Sequence, residues 1–351
     1  MNEGPLPFPD DVDIGIVSHN GRVLLPRVLD CLTAAGAPDD RIAVYDVGST
    51  DGTREWLAEA RPAITVRRLD TNVGPDPGRN WATREARRPY LLLLDADALV
   101  EPDCPARLRA AITRRPGIGT VAPVVVHAEA PGTLQYASGH LHFICEAVNQ
   151  FLDRPLGERG HDARPIGAAP AVALLIDVAV SHAIGNWDDR YFIGKEDGDF
   201  CHRLRMGGYD LVEDPAAIVR HETKPRTAWL FPCQIRNRWH FLLKNYEART
   251  LFVLAPALAL HEVLQFGLLA SSGHFGAWVK AVGGLLPWLR TLPAERRVIQ
   301  GRRRRSDREL LVCAPLIVRA DLAGGPVRRH VKRWYDAWLD GYWRVCRHLL
   351  S

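Results

Sequence analysis

Between residues 11 and 130 the chain repeats one pattern: a short apolar run, a polar or glycine-containing turn, then a stretch with helical spacing. Apolar runs without alternation belong to strands buried on both faces, so the pattern predicts an α/β fold with a mostly parallel sheet flanked by helices. Asp13-Ile-Gly-Ile-Val-Ser18 reads as the first strand. Asn20-Gly21 then leads into a helix through Leu24, Leu25, Val28, Leu29 and Leu32, which Gly36 ends. Arg41-Ile-Ala-Val-Tyr45 is the second strand, and after the turn Asp46-Val-Gly-Ser-Thr-Asp-Gly52, Thr53 opens a helix carrying Trp56 and Leu57. Ile64-Thr-Val-Arg-Arg-Leu69 is the third. A Gly/Pro-rich loop over residues 72–78 and a helix near 80–87 precede the fourth strand, Tyr90-Leu-Leu-Leu-Leu94, which runs into Asp95-Ala-Asp97.

In open α/β sheets ligands bind beyond the carboxyl ends of the strands, where Asp95 and Asp97 fall. Paired carboxylates there suit Mg²⁺ or Mn²⁺ held on a diphosphate, because such ions take oxygen ligands from both protein and substrate. The plain alternative is a strand-ending turn. The 46–53 segment also follows a strand and precedes a helix, so its amides and side chains can meet a nucleotide. No GxGxxG follows the first strand and no GxxxxGK[ST] occurs, which removes a dinucleotide fold and a P-loop.

Residues 121–223 are less regular. Phe200 and Leu204 share a helical face, Asp199 and Arg203 can pair at i,i+4, and Gly207-Gly208 closes that helix, placing Asp197 in its first turn. Beyond Trp229 the character changes to apolar and amphipathic helical stretches. Residues 251–270 have the length of a membrane span but contain Pro256, His261, Glu262 and Gln265, which favours an in-plane or re-entrant helix. Arg296-Arg297, Arg302 to Arg305 and Arg328-Arg329 lie beside it, and Trp334, Trp338, Tyr342 and Leu349 form a helical stripe suited to lipid headgroups. Packing of those aromatics on the rest of the chain, with solvated arginines, is the alternative.

At 351 residues the chain accommodates one large domain and an appendage. Its 45 basic and 41 acidic residues leave a formal charge of +4, too little to argue for a nucleic-acid partner. Seven cysteines without a CxxC pair, and a polar Pro-rich start without a secretory pattern, read as a cytoplasmic protein with reduced thiols.

Taken together these pieces resemble the family 2 glycosyltransferases with the GT-A fold, particularly the bacterial rhamnosyltransferase-like branch. The resemblance covers residues 13–221. Its motifs are Ile16-Val-Ser-His-Asn20, Tyr45-Asp-Val-Gly-Ser-Thr-Asp-Gly-Thr53, Asn72-Val-Gly74 with Gly78-Arg-Asn80, and Leu94-Asp-Ala-Asp97. Trp187-Asp-Asp-Arg-Tyr-Phe192, Glu196-Asp-Gly-Asp199 with Arg203, Gly208-Tyr209 and the 215–221 segment continue it in order. The resemblance implies a catalytic domain at 1–228, with a nucleotide-sugar half at about 11–127 and an acceptor half at about 128–228, then an amphipathic helical module at 229–351 peripheral to the membrane's cytoplasmic face. It implies Mn²⁺ or Mg²⁺ on Asp97 and His221, with Asp95 bonding ribose or a metal-bound water. Ser18, Asn20, Asp46, Ser49, Asp51 and Arg79 would hold a nucleotide-diphospho-sugar, dTDP- or UDP-linked. Asp197 would be the general base of an inverting displacement, and Trp187 and Glu196 would stand on the acceptor side.

The expected acceptor is a hydroxyl of a lipid-linked glycan, and a homo-oligomer is compatible with the chain. Two positions depart from the family pattern. Val47 replaces an Asp or Asn that some relatives use to read the base, and Ala168-Ala-Pro-Ala171 replaces a Gly-rich stretch. Three other readings stand beside this one. The same chemistry could serve a soluble natural-product acceptor, or the fold could be a non-catalytic nucleotide-sugar-binding module. A sugar-1-phosphate nucleotidyltransferase needs a Gly-rich basic loop where Ser18-His-Asn-Gly-Arg22 stands.

Overall fold

The computed structural model describes residues 6–222, 228–317 and 325–350. In chain order the elements begin β1 (Val12–Ser18), α1 (Leu25–Ala34), β2 (Ile42–Val47), α2 (Thr53–Ala60), β3 (Thr65–Leu69), α3 (Asp76–Glu85), β4 (Tyr90–Asp95), β5 (Ala98–Val100) and α4 (Cys104–Ile112). Next come β6 (Ile118–His127), β7 (Ala130–Tyr136), β8 (Gly139–Leu141), β9 (Ala147–Asn149), β10 (Arg164–Pro165), β11 (Ala173–Asp177), α5 (Val178–Ile184), α6 (Glu196–Met206) and β12 (Asp210–His221). The chain ends in helices α7 (Leu230–Asn245), α8 (Ala248–Ser271), α9 (Phe275–Leu285), α10 (Leu292–Gly301), α11 (Asp307–Leu310) and α12 (Pro326–Cys346).

These elements divide into two compact units. The first comprises the described parts of Met1–Ser138, Gln150–Phe192 and Tyr209–Pro225. Its sheet runs β10-β12-β6-β11-β4-β1-β2-β3, with β5 on β12 and β7 on β6. The four strands β3, β2, β1 and β4 are parallel, as expected from their apolar runs. The other half is mixed, because β11 runs antiparallel to both β4 and β6 while β12 is parallel to β6.

Alternation along β1 sorts the two faces. Val12, Ile14 and Ile16 join Leu25, Val28, Leu29 and Leu32 of α1, Leu57 of α2 and Leu108 of α4 in one core. On the opposite face α3 comes so close that a Cβ on Gly15 would lie 2.8 Å from the Ala82 methyl. Glycine there lets the helix seat against the strand that ends in Ser18.

The second unit comprises the described parts of Gly139–Asn149, Ile193–Gly208 and Arg226–Ser351. The sequence places the 193–208 segment in the catalytic half; by its contacts it is grouped with the C-terminal helices. The expected domain join near residue 228 adjoins 223–227, which lie outside the described residues. The core of this unit holds Phe143, Phe241, Tyr246, Leu254, Leu258, Leu339 and Trp343. Phe143 and Trp343 stack face to face, centroids 4.9 Å apart.

Two polar residues of α8 find partners inside this unit: His261 Nδ1 lies 2.9 Å from the Tyr335 hydroxyl, and Glu262 accepts from Trp239 Nε1 at 2.6 Å and Trp278 Nε1 at 3.2 Å. The helix is long and apolar enough to cross a membrane, with mean hydropathy 1.7. The expected lipid-facing residues divide. Trp338 and Tyr342 stack against each other at the edge of the core, leaving Trp334 exposed. Arg296 donates to the Leu243 carbonyl at 2.7 Å, Arg303 pairs with Asp307 at 3.0 Å, and Arg305 donates to Gly208 at 3.0 Å, so these arginines tie the helices together.

Candidate active site

Parallel pairing sets Ser18 opposite Asp46 and Val17 opposite Asp95, so three strands deliver polar residues to one edge of the sheet. The chain reverses its direction of strand addition between β1 and β4, which makes this edge the topological switch point. Two buried oxygens here, Ser18 Oγ and Asp46 Oδ2, have no hydrogen-bond partner among the described residues. Leaving buried oxygens unpaired is costly, so such atoms mark where a ligand's donors fit.

The flanking loops hold one another. Ser49 N donates to Asp46 Oδ1 at 2.8 Å, Asn20 N to Ser49 Oγ at 2.8 Å, and Thr50 N to Asn20 Oδ1 at 2.9 Å. Gly48 allows the turn: its φ is +67°, and a Cβ would lie 2.6 Å from the Thr71 carbonyl carbon. Asp51, expected among the donor contacts, accepts from Arg22 N at 3.0 Å and from the Thr53 amide and hydroxyl. Its carboxylate therefore closes the loop and starts α2.

Arg79 is buried on α3, where it pairs with Asp76 at 3.0 Å and reaches Asp95 at 3.1 Å. Its guanidinium lies 4.8 Å from the centroid of the Trp187 ring. Asn80 fixes that residue with two bonds to the Trp187 backbone, at 2.9 and 3.0 Å. Trp187 is 3% exposed and braces the arginine that holds Asp95.

The strand β5 pairs antiparallel with β12, matching Ala98 with His221, and so brings His221 beside Asp97. His221 Nε2 lies 3.4 Å from Asp97 Oδ1, a buried oxygen without a hydrogen bond. The other ring nitrogen, Nδ1, is 2.7 Å from Gln135 Oε1, an acceptor, so Nδ1 carries the proton and Nε2 offers a lone pair toward Asp97. A carboxylate oxygen and an imidazole lone pair converging in this way fit a divalent cation, with the Gln135 amide fixing the tautomer of the ring from its far side. Among the described residues no group of three or more His, Cys, Asp or Glu could hold an ion alone. A cation here would draw its remaining ligands from substrate oxygens and water.

In the helical unit, Glu196, Asp197 and Asp199 occupy the first turn of α6, whose dipole favours carboxylates. The loop before it is held by Asn237 Nδ2, which donates to Gly194 O at 2.7 Å and Ile193 O at 3.1 Å. Asp199 is fully buried and joins Arg203, Lys244 and Asn245, each at 2.7 Å. That network makes Asp199 a structural anchor, as the i,i+4 spacing to Arg203 implies. Asp197 is half-buried and Glu196 buried.

Sequence reasoning missed Gln135 and Asp76. Gln135 is an ordinary polar residue on a strand and carried no signal; Asp76 stood three residues before Arg79 on a helix, a spacing that predicts contact.

The fold is of the GT-A type found in glycosyltransferases. The chain matches the model of glycosyl transferase family 2 over residues 13–166. It is 24% identical over 238 residues, 60% of its length and 76% of the relative's, to the N-acetylglucosaminyl-diphospho-decaprenol L-rhamnosyltransferase of Mycobacterium tuberculosis. Among solved structures it resembles GalNAc-T7 with UDP, GalNAc and Mn²⁺ (TM-score 0.55, 18% identity), covering 68% of this chain but only 48% of that one. It also resembles residues 1–349 of TarS from S. aureus, with TM-score 0.53, 15% identity, and coverage of 96% of this chain and 89% of that one. At these identities the two structures speak for the fold.

Proposed function

We propose that this glycosyltransferase moves a hexose or deoxyhexose, such as rhamnose, from a dTDP- or UDP-sugar to a hydroxyl of a lipid-linked glycan, with inversion and with Mn²⁺ or Mg²⁺. The observation that carries the reading is the convergence of Ser18 Oγ, Asp46 Oδ2 and Asp97 Oδ1, all buried and unbonded, at carboxyl ends of the parallel strands. Ser18 and Asp46 receive donors of the nucleoside, and the Asn20–Ser49 linkage keeps their loops in place. Arg79 holds Asp95 rigid at the sheet edge, where it accepts from ribose or water.

Asp97 and His221 hold the divalent cation, which supplies positive charge against the diphosphate leaving group. Asp197 takes the proton of the acceptor hydroxyl as that oxygen bonds to the anomeric carbon. The bond from that carbon to the diphosphate oxygen breaks with its electron pair, and one displacement inverts the centre. A carboxylate oxygen can accept that proton as the hydroxyl attacks.

The lipid-linked acceptor is supported by the decaprenol-linked substrate in the relative's name and by the helical unit's outward face. There Phe252 (83% exposed), Val263 and Phe275 face outward, while the polar groups of α8 turn inward. A helix buried along one side against its own unit reads as lying in the interface plane, peripheral to the cytoplasmic face. The test is nucleoside diphosphate release from dTDP- and UDP-sugars with a polyprenyl-diphospho-sugar acceptor. We expect acceptor-dependent release, sensitive to chelator, and a product of inverted anomeric configuration. Retained configuration, or release unaffected by chelation, contradicts the reading.

A further inference from the structure

The helical unit contains a cavity of about 670 Å³ that the transfer reaction does not use. Three arginines line it: Arg308 from α11, Arg344 from α12, and Arg347 from the turn that follows. The single carboxylate of the lining, Asp340, pairs with Arg344 at 2.6 Å. Among the described residues Arg308 and Arg347 have no acidic partner, so the lining carries two more cations than anions. The remaining lining is apolar or neutral. Leu311 and Trp343 are buried, and the tryptophan is fixed by its stacking on Phe143. Burial pushes the Cys313 thiol up to about 12, so it adds no negative charge.

Guanidinium groups gathered from separate segments repel one another and gain most from a bidentate oxyanion. Arg344 and Arg347 also complement the C-terminal dipole of α12, but Arg308 comes from another helix and owes nothing to that dipole. The volume far exceeds that of a bare oxyanion and lies in the range of organic ligands.

We infer that this cavity binds a phosphate ester bearing an apolar group, its phosphate on Arg308, Arg344 and Arg347 and its organic part over Leu311 and Trp343. The phosphate can come from a lipid headgroup or from a soluble phosphate ester, and the probes separate the two.

The full chain is titrated calorimetrically with inorganic diphosphate and with short-chain phosphatidic acid, and is sedimented with phosphatidylcholine vesicles with and without phosphatidic acid. The double variant Arg308→Gln/Arg347→Gln is compared with Arg297→Gln/Arg329→Gln, which removes the same charge from exposed positions outside the cavity. Melting temperature checks that each variant folds. Loss of about tenfold or more in phosphatidic acid affinity, confined to the cavity variant, is the expected result. Preference for short-chain phosphatidic acid over diphosphate without sedimentation on vesicles, with the same confined loss, supports the site and assigns it to soluble phosphate esters, whereas equal affinity for diphosphate overturns the apolar half of the inference. A preference for phosphatidic acid and its vesicles, again lost only in the cavity variant, supports the site and assigns it to headgroups. Equal losses in both double variants, or no binding of any probe by the native chain, overturn the inference.

Discussion

His221 Nε2 stands 3.4 Å from Asp97 Oδ1 because β5 and β12 pair antiparallel, while Gln135 holds the other nitrogen of the ring at 2.7 Å. Two residues far apart in the chain thereby present a lone pair and a carboxylate to one point. Gln135 does not touch that point, so its influence runs through the tautomer and orientation of the imidazole.

Gln135→Leu removes the acceptor and frees the ring to rotate or to move its proton to Nε2. Mn²⁺ affinity in the presence of nucleoside diphosphate should fall by about 10- to 100-fold, the usual effect of losing such a partner. Gln135→Glu, which keeps an acceptor, should recover most of it. Calorimetric titration of Mn²⁺ reads both, and an unchanged affinity for Gln135→Leu contradicts the orienting role.

Arg79 neutralises the fully buried Asp76 and also reaches Asp95. Removing one partner of a buried pair leaves an uncompensated charge, so Arg79→Ala should cost about 3–5 kcal/mol of stability. Arg79→Ala/Asp76→Ala should recover part of that loss, since neither charge then remains alone. Urea denaturation measures both. A double variant less stable than Arg79→Ala alone would refute the pairing argument.

Asp197 and Asp199 lie two residues apart on α6 and should behave differently. Asp197→Asn should fold and bind donor normally while transfer falls by about 10²–10⁴, the range for losing a general base. Asp199→Ala strands buried Lys244 and Arg203, and should lower stability by about 3–5 kcal/mol. Melting temperatures and transfer rates of the two variants separate the roles. Near-native transfer by Asp197→Asn removes it as the base.

Three histidines of the helical unit are held neutral by burial. His142 is pushed down to about 3, and His202 and His261 lie well below the ordinary histidine range. Unfolded histidines titrate near 6.5, so below that pH the unfolded chain takes up protons that the folded chain refuses. Stability is therefore full above about pH 6.5 and falls as the pH drops from there, by up to about 1.4 kcal/mol per pH unit for each group. The melting temperature should decline from pH 7 to 5, and less steeply in His142→Gln. A flat profile in the native chain contradicts this.

Much of this sheet edge was legible in the sequence because it is local. The apolar runs of β1, β2 and β4 end in Ser18, Asp46 and Asp95, and parallel pairing does the rest. The other half of the sheet was hidden. β12 carries Glu213, Asp214 and Pro215 inside its span, which breaks any strand pattern. In the fold Glu213 is buried against Arg159 at 2.5 Å, and the register shifts between Asp214 and Ile218, leaving Pro215 outside the ladder. No local pattern announces such long-range compensation, nor the pairing that sets His221 beside Asp97. The burial of Trp187 was hidden for the same reason: it depends on Arg79 and Asn80, more than a hundred residues earlier. The amphipathic stripe of α12 was placed correctly on a helix, but the fold turns Tyr335, Leu339 and Trp343 inward and leaves Trp334 outside.

The most direct test of the donor site is thermal stabilisation of the purified chain by UDP-, dTDP- and GDP-sugars, with Mn²⁺ and with chelator, beside Asp97→Asn. A ligand that binds only the folded state raises the melting temperature. The account predicts stabilisation by one nucleotide class, abolished by chelator and absent in Asp97→Asn. Stabilisation that survives both chelation and the substitution would contradict a metal-dependent donor site on Asp97.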